Sequence, residues 1–240
     1  MTTIHAHQTV GEIVAAAPNR SRLFEETGID YCCGGGIPLE EACANKGLSP
    51  NALIAQLEAM EAQADNDPRF ADAASMGLIE LISHILDTHH AYLRRELPRL
   101  SGLVEKVAEV HGDQDPRLRD LVQVFSHFVG HLQSHMLKEE RVLFPAIQTI
   151  AESDRMPQLS IGSVAFPIGG MEAEHAEAGD TLTRIRELTD DLTPPDWACN
   201  TYRAMLAGLE ELELDMHQHI HKENNVLFPR AIEYERSLNS

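Results

Sequence analysis

His135-Met-Leu-Lys-Glu139-Glu-Arg-Val-Leu-Phe-Pro145 is written a second time 84 residues later as His219-Ile-His-Lys-Glu223-Asn-Asn-Val-Leu-Phe-Pro229, with seven of eleven positions identical. In each copy a His and a Glu stand four apart. On an α-helix that spacing puts both on one face, about 6 Å apart along the axis and within reach of a shared metal ion. The repeat extends outward, because His90-Ala-Tyr-Leu-Arg-Arg-Glu-Leu97-Pro-Arg99 aligns with His175-Ala-Glu-Ala-Gly-Asp-Thr-Leu182-Thr-Arg184 at an offset of 85. The chain thus carries His90, then His135 and Glu139, then His175, then His219 and Glu223, with 45 and 44 residues from each lone His to its partner motif. A repeat on this scale marks duplicated architecture. Each half is about two helices long, so the expected fold is all-α, a four-helix bundle.

Hydrophobic patterning agrees. Segments near 76–110, 116–150, 169–190 and 195–236 read as helices, separated by Gly112-Asp-Gln-Asp-Pro116, the charge-free stretch 156–171 and Asp190-Asp-Leu-Thr-Pro-Pro195. Leu78, Leu81, Ile82, Ile85 and Leu86 show the i, i+3, i+4 spacing of a buried helical face. Pro98, Pro145 and Pro229 are expected to kink or end these helices about two turns past the nearest ligand candidate. Upstream lies a set of short helices punctuated by Pro18-Asn19, Gly28, Gly34-Gly35-Gly36 and Ser49-Pro50, the last pair a good helix start. The polar stretch 64–73 reads as a linker. The expected domains are therefore a small helical module, 1–65, and the bundle, 66–240.

The formal charge is −19, and no Lys/Arg cluster is present to follow a phosphate backbone or anionic lipid. Nucleic acid and membranes are poor partners on this count. The N-terminal residues form no signal peptide and no apolar run approaches spanning length, so the sequence reads as cytoplasmic. Of the four cysteines, Cys32 and Cys33 are adjacent. Their Cα separation of about 3.8 Å is shorter than an unstrained disulfide spans, so both read as free thiols. Placed before the helix start at Pro38, they are expected to ionise readily and to react ahead of Cys43 and Cys199, which sit in helix-like sequence and read as buried. The functional reading is a thiol relay, and the plain alternative is a tight turn.

The metal ligands expected are His90, His135, Glu139, His175, His219 and Glu223. Inward-facing ligands in a four-helix bundle are a recurrent way to hold two irons. Four imidazoles would give each iron two nitrogens, and two glutamates would bridge the pair, leaving room for an oxo or hydroxo bridge and an outside molecule. Iron fits this set better than manganese, and a structural zinc site would need four ligands, often Cys. His89 competes with His90, but the repeat favours His90. His84, His111, His217 and His221 are left to surface or packing roles, and Glu140 to the exposed helix face. His127 and His131 continue the stripe of His135 and Glu139, and Glu211 and Asp215 that of His219 and Glu223, as partners orienting the ligands or as a polar lane. His131 could also be a fifth imidazole.

The duplicated His and HxxxE pattern, with Leu-Phe-Pro after each HxxxE, resembles the haemerythrin-like di-iron bundles. Asp30-Tyr31-Cys32-Cys33-Gly34-Gly35 resembles the opening signature of the RIC family, di-iron proteins that repair iron centres. Together the two resemblances cover nearly the whole chain. They imply a homodimeric, cytoplasmic stress-response protein that restores iron–sulfur clusters damaged by nitric oxide or oxidation, donating iron from its di-iron centre. Its partners would be proteins with damaged clusters, and its small ligands NO or O2. Two alternatives stay open: a haemerythrin-like NO or O2 binding or sensing protein, and a di-iron NO reductase.

Overall fold

The computed structural model describes residues 4–60 and 68–239. The boundary expected near residue 65 lies outside the described residues. Among the described residues the chain is all-helical, and the nearest approach to a sheet is a single isolated bridge between Thr9 and Pro38. No described helix is long and apolar enough to cross a membrane. The chain divides into two compact units: one takes in residues 1–85, 147–158 and 217–240, the other residues 86–146 and 159–216.

The first unit begins with α1 (Val10–Ala16), whose start is a full capping box: the Thr9 hydroxyl accepts from the Glu12 N–H, and the Glu12 carboxylate accepts from the Thr9 N–H. Next come α2 (Ser21–Thr27), α3 (Leu39–Lys46) and α4 (Pro50–Ala59). Gly28 ends α2 in the left-handed region at φ 66, where a side chain is penalised. Ser49 caps α4 with Pro50 at its first position, as the sequence indicates. The unit is completed by α5 (Leu78–Ile85), most of α8 (Phe144–Ala151), the end of α10 (Asn200–Lys222) and α11 (Phe228–Leu238). Its core buries Val10, Val14, Phe24, Leu39, Leu81, Ile82, Ile85, Ile147, Ile220 and Phe228. Each such side chain contributes roughly 1.5–3 kcal/mol.

The second unit is a four-helix arrangement of α6 (Ala91–His111), α7 (Arg117–Lys138), α9 (Ala165–Leu188) and α10 up to Met216. Helix α7 packs on both α6 and α9. Arg186 of α9 grips Glu213 of α10 through Nε at 2.8 Å. Helices α6 and α10 approach closely at Gly208, where an added Cβ would come 2.5 Å from Leu100 Cδ2. The turn before α10 is a run of left-handed residues, Asp190, Asp191 and Leu192, held by ion pairs from Arg117 to Asp190 and from Arg186 to Asp191.

One expectation about the helices needs correction. Helix α9 begins at Ala165, four residues before the expected start, because Pro167 falls in the first turn, where its missing N–H costs nothing. The prolines, expected to kink or end their helices, interrupt the regular turn at two places and do not end the third. Pro98 lies inside α6, while Pro145 and Pro229 each follow a π-turn, Glu139–Leu143 and Glu223–Leu227. In both π-turns the N–H of the following Phe bonds back to the Glu carbonyl five residues earlier. That wider loop gives room for the proline ring, which would clash in a tight α-turn. A third π-turn, Leu86–His90, joins α5 to α6.

Candidate metal centre

All three π-turns carry ligand candidates: His90 closes the first, and Glu139 and Glu223 open the other two. π-bulges recur at functional sites because the inserted residue re-aims side chains that a regular helix would turn away. Here the buried glutamates open the bulges, and Leu-Phe-Pro stands where each bulge passes into the next α-helix.

The second unit brings four of the six candidates together. Glu139 is fully buried and stands between two imidazoles, with Oε2 3.3 Å from His90 Nε2 and Oε1 3.3 Å from His135 Nε2. His175 Nε2 faces His135 Nε2 at 3.0 Å. One ligand atom from each of His135, Glu139 and His175 lies within 4.8 Å of the others. The His90 ring stacks on Phe144, with centroids 5.8 Å apart. In the first unit, His219 and Glu223 stand on one face as the spacing requires, Nε2 to Oε1 3.0 Å, with both side chains buried.

The far nitrogens of two of these imidazoles are tied to carboxylates. His90 Nδ1 donates to Glu140 Oε1 at 2.7 Å, and His135 Nδ1 donates to Glu174 Oε2 at 2.8 Å. A proton held at Nδ1 leaves Nε2 as a lone pair, and both Nε2 atoms point at the buried carboxylate. Each supporting glutamate is itself steadied by a cation, Glu140 by Arg94 and Glu174 by Lys138. Burial works against the charge on Glu174, yet Lys138 and His135 outweigh it and hold this carboxyl below its usual range. Glu139 thus has His90 on one side and His135 with His175 on the other, buried imidazole and carboxylate donors whose chemistry suits a borderline divalent ion such as ferrous iron.

Glu140 is therefore not the exposed helix residue expected from its Asn counterpart in the repeat. The side chain is 23% exposed and braces His90. Glu174 was missed altogether. The available signal was adjacency, since each of these carboxylates sits next to a ligand candidate in sequence. His89 is buried and bonds Asp215 Oδ1 at 2.9 Å. His127 and His131 lie on the exposed face of α7, their rings 4.1 Å apart, with Glu177 3.7 Å from His131 Nδ1. They line a cavity of about 210 Å³ that also touches His135, Lys138, Glu174 and His175.

Cys32 departs from expectation. Cys32 is buried, and its hydrogen bond with Cys33, with burial next, pushes its thiol well above the ordinary value. Helix α3 begins only at Leu39, too far along to favour a thiolate. The local anion is instead Asp30, whose carboxylate accepts from the N–H groups of Cys32, Cys33 and Gly34 at 2.9, 3.0 and 2.8 Å. The loop is pinned from the end of α10 and the π-turn after it. Gln218 donates to the Tyr31 hydroxyl at 2.8 Å, His221 Nδ1 to the Tyr31 carbonyl at 3.3 Å, and Asn225 to the Cys32 carbonyl at 3.0 Å. Cys43 is buried as expected, but Cys199 is exposed, because it precedes α10 and does not lie within it.

Residues 81–231 match the Hemerythrin HHE cation binding domain, and residues 6–61 match the Domain of Unknown function (DUF542). The chain is 39% identical over 229 residues to the iron-sulfur cluster repair protein YtfE of Yersinia pseudotuberculosis, covering 95% of this chain and 98% of that one. It is 38% identical over 225 residues to the protein of that name from Pectobacterium carotovorum, covering 94% and 96%. Likeness on this scale, across both halves of the sequence, leaves one assignment: the chain belongs to the haemerythrin-domain family that includes the YtfE iron-sulfur cluster repair proteins.

Proposed function

We propose that this protein repairs damaged iron–sulfur clusters by donating iron from a di-iron centre held by His90, His135, Glu139, His175, His219 and Glu223. The observation that carries the reading is the buried Glu139 carboxylate, set with one oxygen toward each of two imidazoles whose far nitrogens are tied to Glu140 and Glu174. The two irons, oxo- or hydroxo-bridged, would supply a labile ferrous store and open positions for an outside molecule. His90 and His135 present neutral lone pairs, the glutamates offset charge, and Glu140 and Glu174 hold the rings in register. A set richer in imidazole than in carboxylate stabilises ferric and higher states less, and so favours binding and release over high-valent oxidation.

The working division is a 1–65 Cys-Cys-Gly-Gly module that hands on metal and a 66–240 module that stores it. The matches over 6–61 and 81–231 support it. Ligand atoms of Asp30, Cys32 and Cys33 lie within 4.8 Å of one another, which suits a relay position for iron. The clients would be proteins whose clusters nitric oxide or oxidation has damaged. The expected setting is the bacterial cytoplasm, and the expected assembly a homodimer. The cavity reaching His135 and His175 also admits small molecules, which favours NO or O2 binding, and NO reduction with it, as the second reading.

The test mixes reduced, iron-loaded protein with a client whose cluster has been damaged and follows cluster recovery. Recovery that a ferrous chelator abolishes supports donation. NO consumption without recovery moves the assignment to the second reading. A Cys32→Ala/Cys33→Ala variant is expected to keep its iron and lose much of the repair.

A further inference from the structure

Away from the metal ligands, Cys199 and His111 form a nucleophile pair built from two helices. Cys199 precedes α10, and its carbonyl accepts the Arg203 N–H at 3.1 Å, so its side chain occupies the N-cap position of a 23-residue helix. His111 is the last residue of α6, and its Nε2 lies 3.3 Å from Cys199 Sγ. Both helix dipoles favour the same charge state, an anion at the start of α10 and a cation at the end of α6. The imidazole is held in place by aromatic neighbours, Trp197 at 5.5 Å and Tyr202 at 5.9 Å between ring centroids. Cys199 is exposed. The N–H of Tyr202 and then His111 draw the thiol down to about 7, whereas Cys32 is raised and Cys43 raised by burial.

We propose that Cys199, activated by His111 at the start of α10, is a redox-modification site that forms mixed disulfides with low-molecular-weight disulfides. The Cys199 thiolate attacks one sulfur of R–S–S–R. The new S–S bond forms as the old one breaks, the departing sulfur keeps the electron pair, and the proton held by His111 passes to it, giving R–SH. No other reductant or oxidant is needed. At pH 7 an ordinary thiol near 8.5 is ~3% ionised, while one near 7 is half ionised. After allowance for the weaker nucleophilicity of the more acidic thiolate, the net advantage is about threefold.

The experiment exposes the iron-loaded full-length protein to oxidised glutathione without oxygen and maps the adducts by mass spectrometry. The chain's one tryptophan, Trp197, reports the same event by fluorescence. One glutathione on Cys199, ahead of Cys33, is the expected result. His111→Gln should slow the reaction up to about threefold at pH 7 and react as fast as or faster than the unaltered protein above pH 9, a crossing that a merely structural role would not produce. If that variant fails to fold, the pH profile of the unaltered protein decides: a midpoint near 7 supports the pair. A midpoint near 9, first modification at Cys33, or equal rates with and without His111 at pH 7 would overturn the proposal.

Discussion

His90 Nδ1 donates to Glu140 Oε1 at 2.7 Å across fifty residues of sequence, so the carboxylate following Glu139 orients the imidazole that faces Glu139 itself. One π-turn thereby supplies both a proposed ligand, Glu139, and the support of another, His90. Glu140→Gln keeps the volume but weakens the acceptor, and Glu174→Gln does the same for His135. Each is expected to lower metal affinity about 10- to 100-fold while the helical fold persists. Competition with a chelator, read beside circular dichroism, measures it, and unchanged affinity in both variants would remove the supporting role.

Ligands and bystanders should separate cleanly in metal analysis. Removing a carboxylate from a buried pair of dications leaves positive charge uncompensated, so Glu139→Ala or Glu223→Ala should lose most of the two irons expected per chain. His84→Ala should retain them. Iron counted on purified variants checks this, and a His84 variant as empty as the Glu139 variant would overturn the ligand assignment.

Asn225 holds the cysteine loop by its carbonyls, and Gly35 gives it room: a Cβ there would meet the Tyr31 carbonyl oxygen and come within 2.9 Å of Asn225 Oδ1. Asn225→Ala is expected to cost about 1–3 kcal/mol by leaving partly buried carbonyls unsatisfied. It should also speed alkylation of Cys32 several-fold. Cys32 labelling that stays slow in a destabilised Asn225 variant would show that other contacts close the loop.

His221 is buried, and desolvation lowers its pKa from 6.5 to about 4. A group whose folded value is depressed contributes stability above its unfolded pKa and loses it as the pH falls. Between about pH 6.5 and 4 this one residue should remove up to about 3 kcal/mol. Acid unfolding of the metal-free chain, compared with His221→Gln, tests it: the variant should show a shallower loss over that window. Parallel acid limbs would rule the residue out.

The repeat, with the hydrophobic patterning around it, determined that the protein is all-helical and that six residues are ligand candidates. Those features are written in local spacing, and four-residue spacing on a helix is geometry that neighbours do not alter. Only the tertiary structure decided the rest. Two of the three described π-turns arise where a proline ring and an inward-facing glutamate meet. Glu140 and Glu174 acquire roles from rings on other helices, and Asp215 takes His89, which the stripe does not reveal. Cys32 is quiet and Cys199 reactive for the same reason, because a thiol answers to burial, to nearby carboxylates and to the helix end it caps, and those are set by which segments pack together and not by the residues on either side.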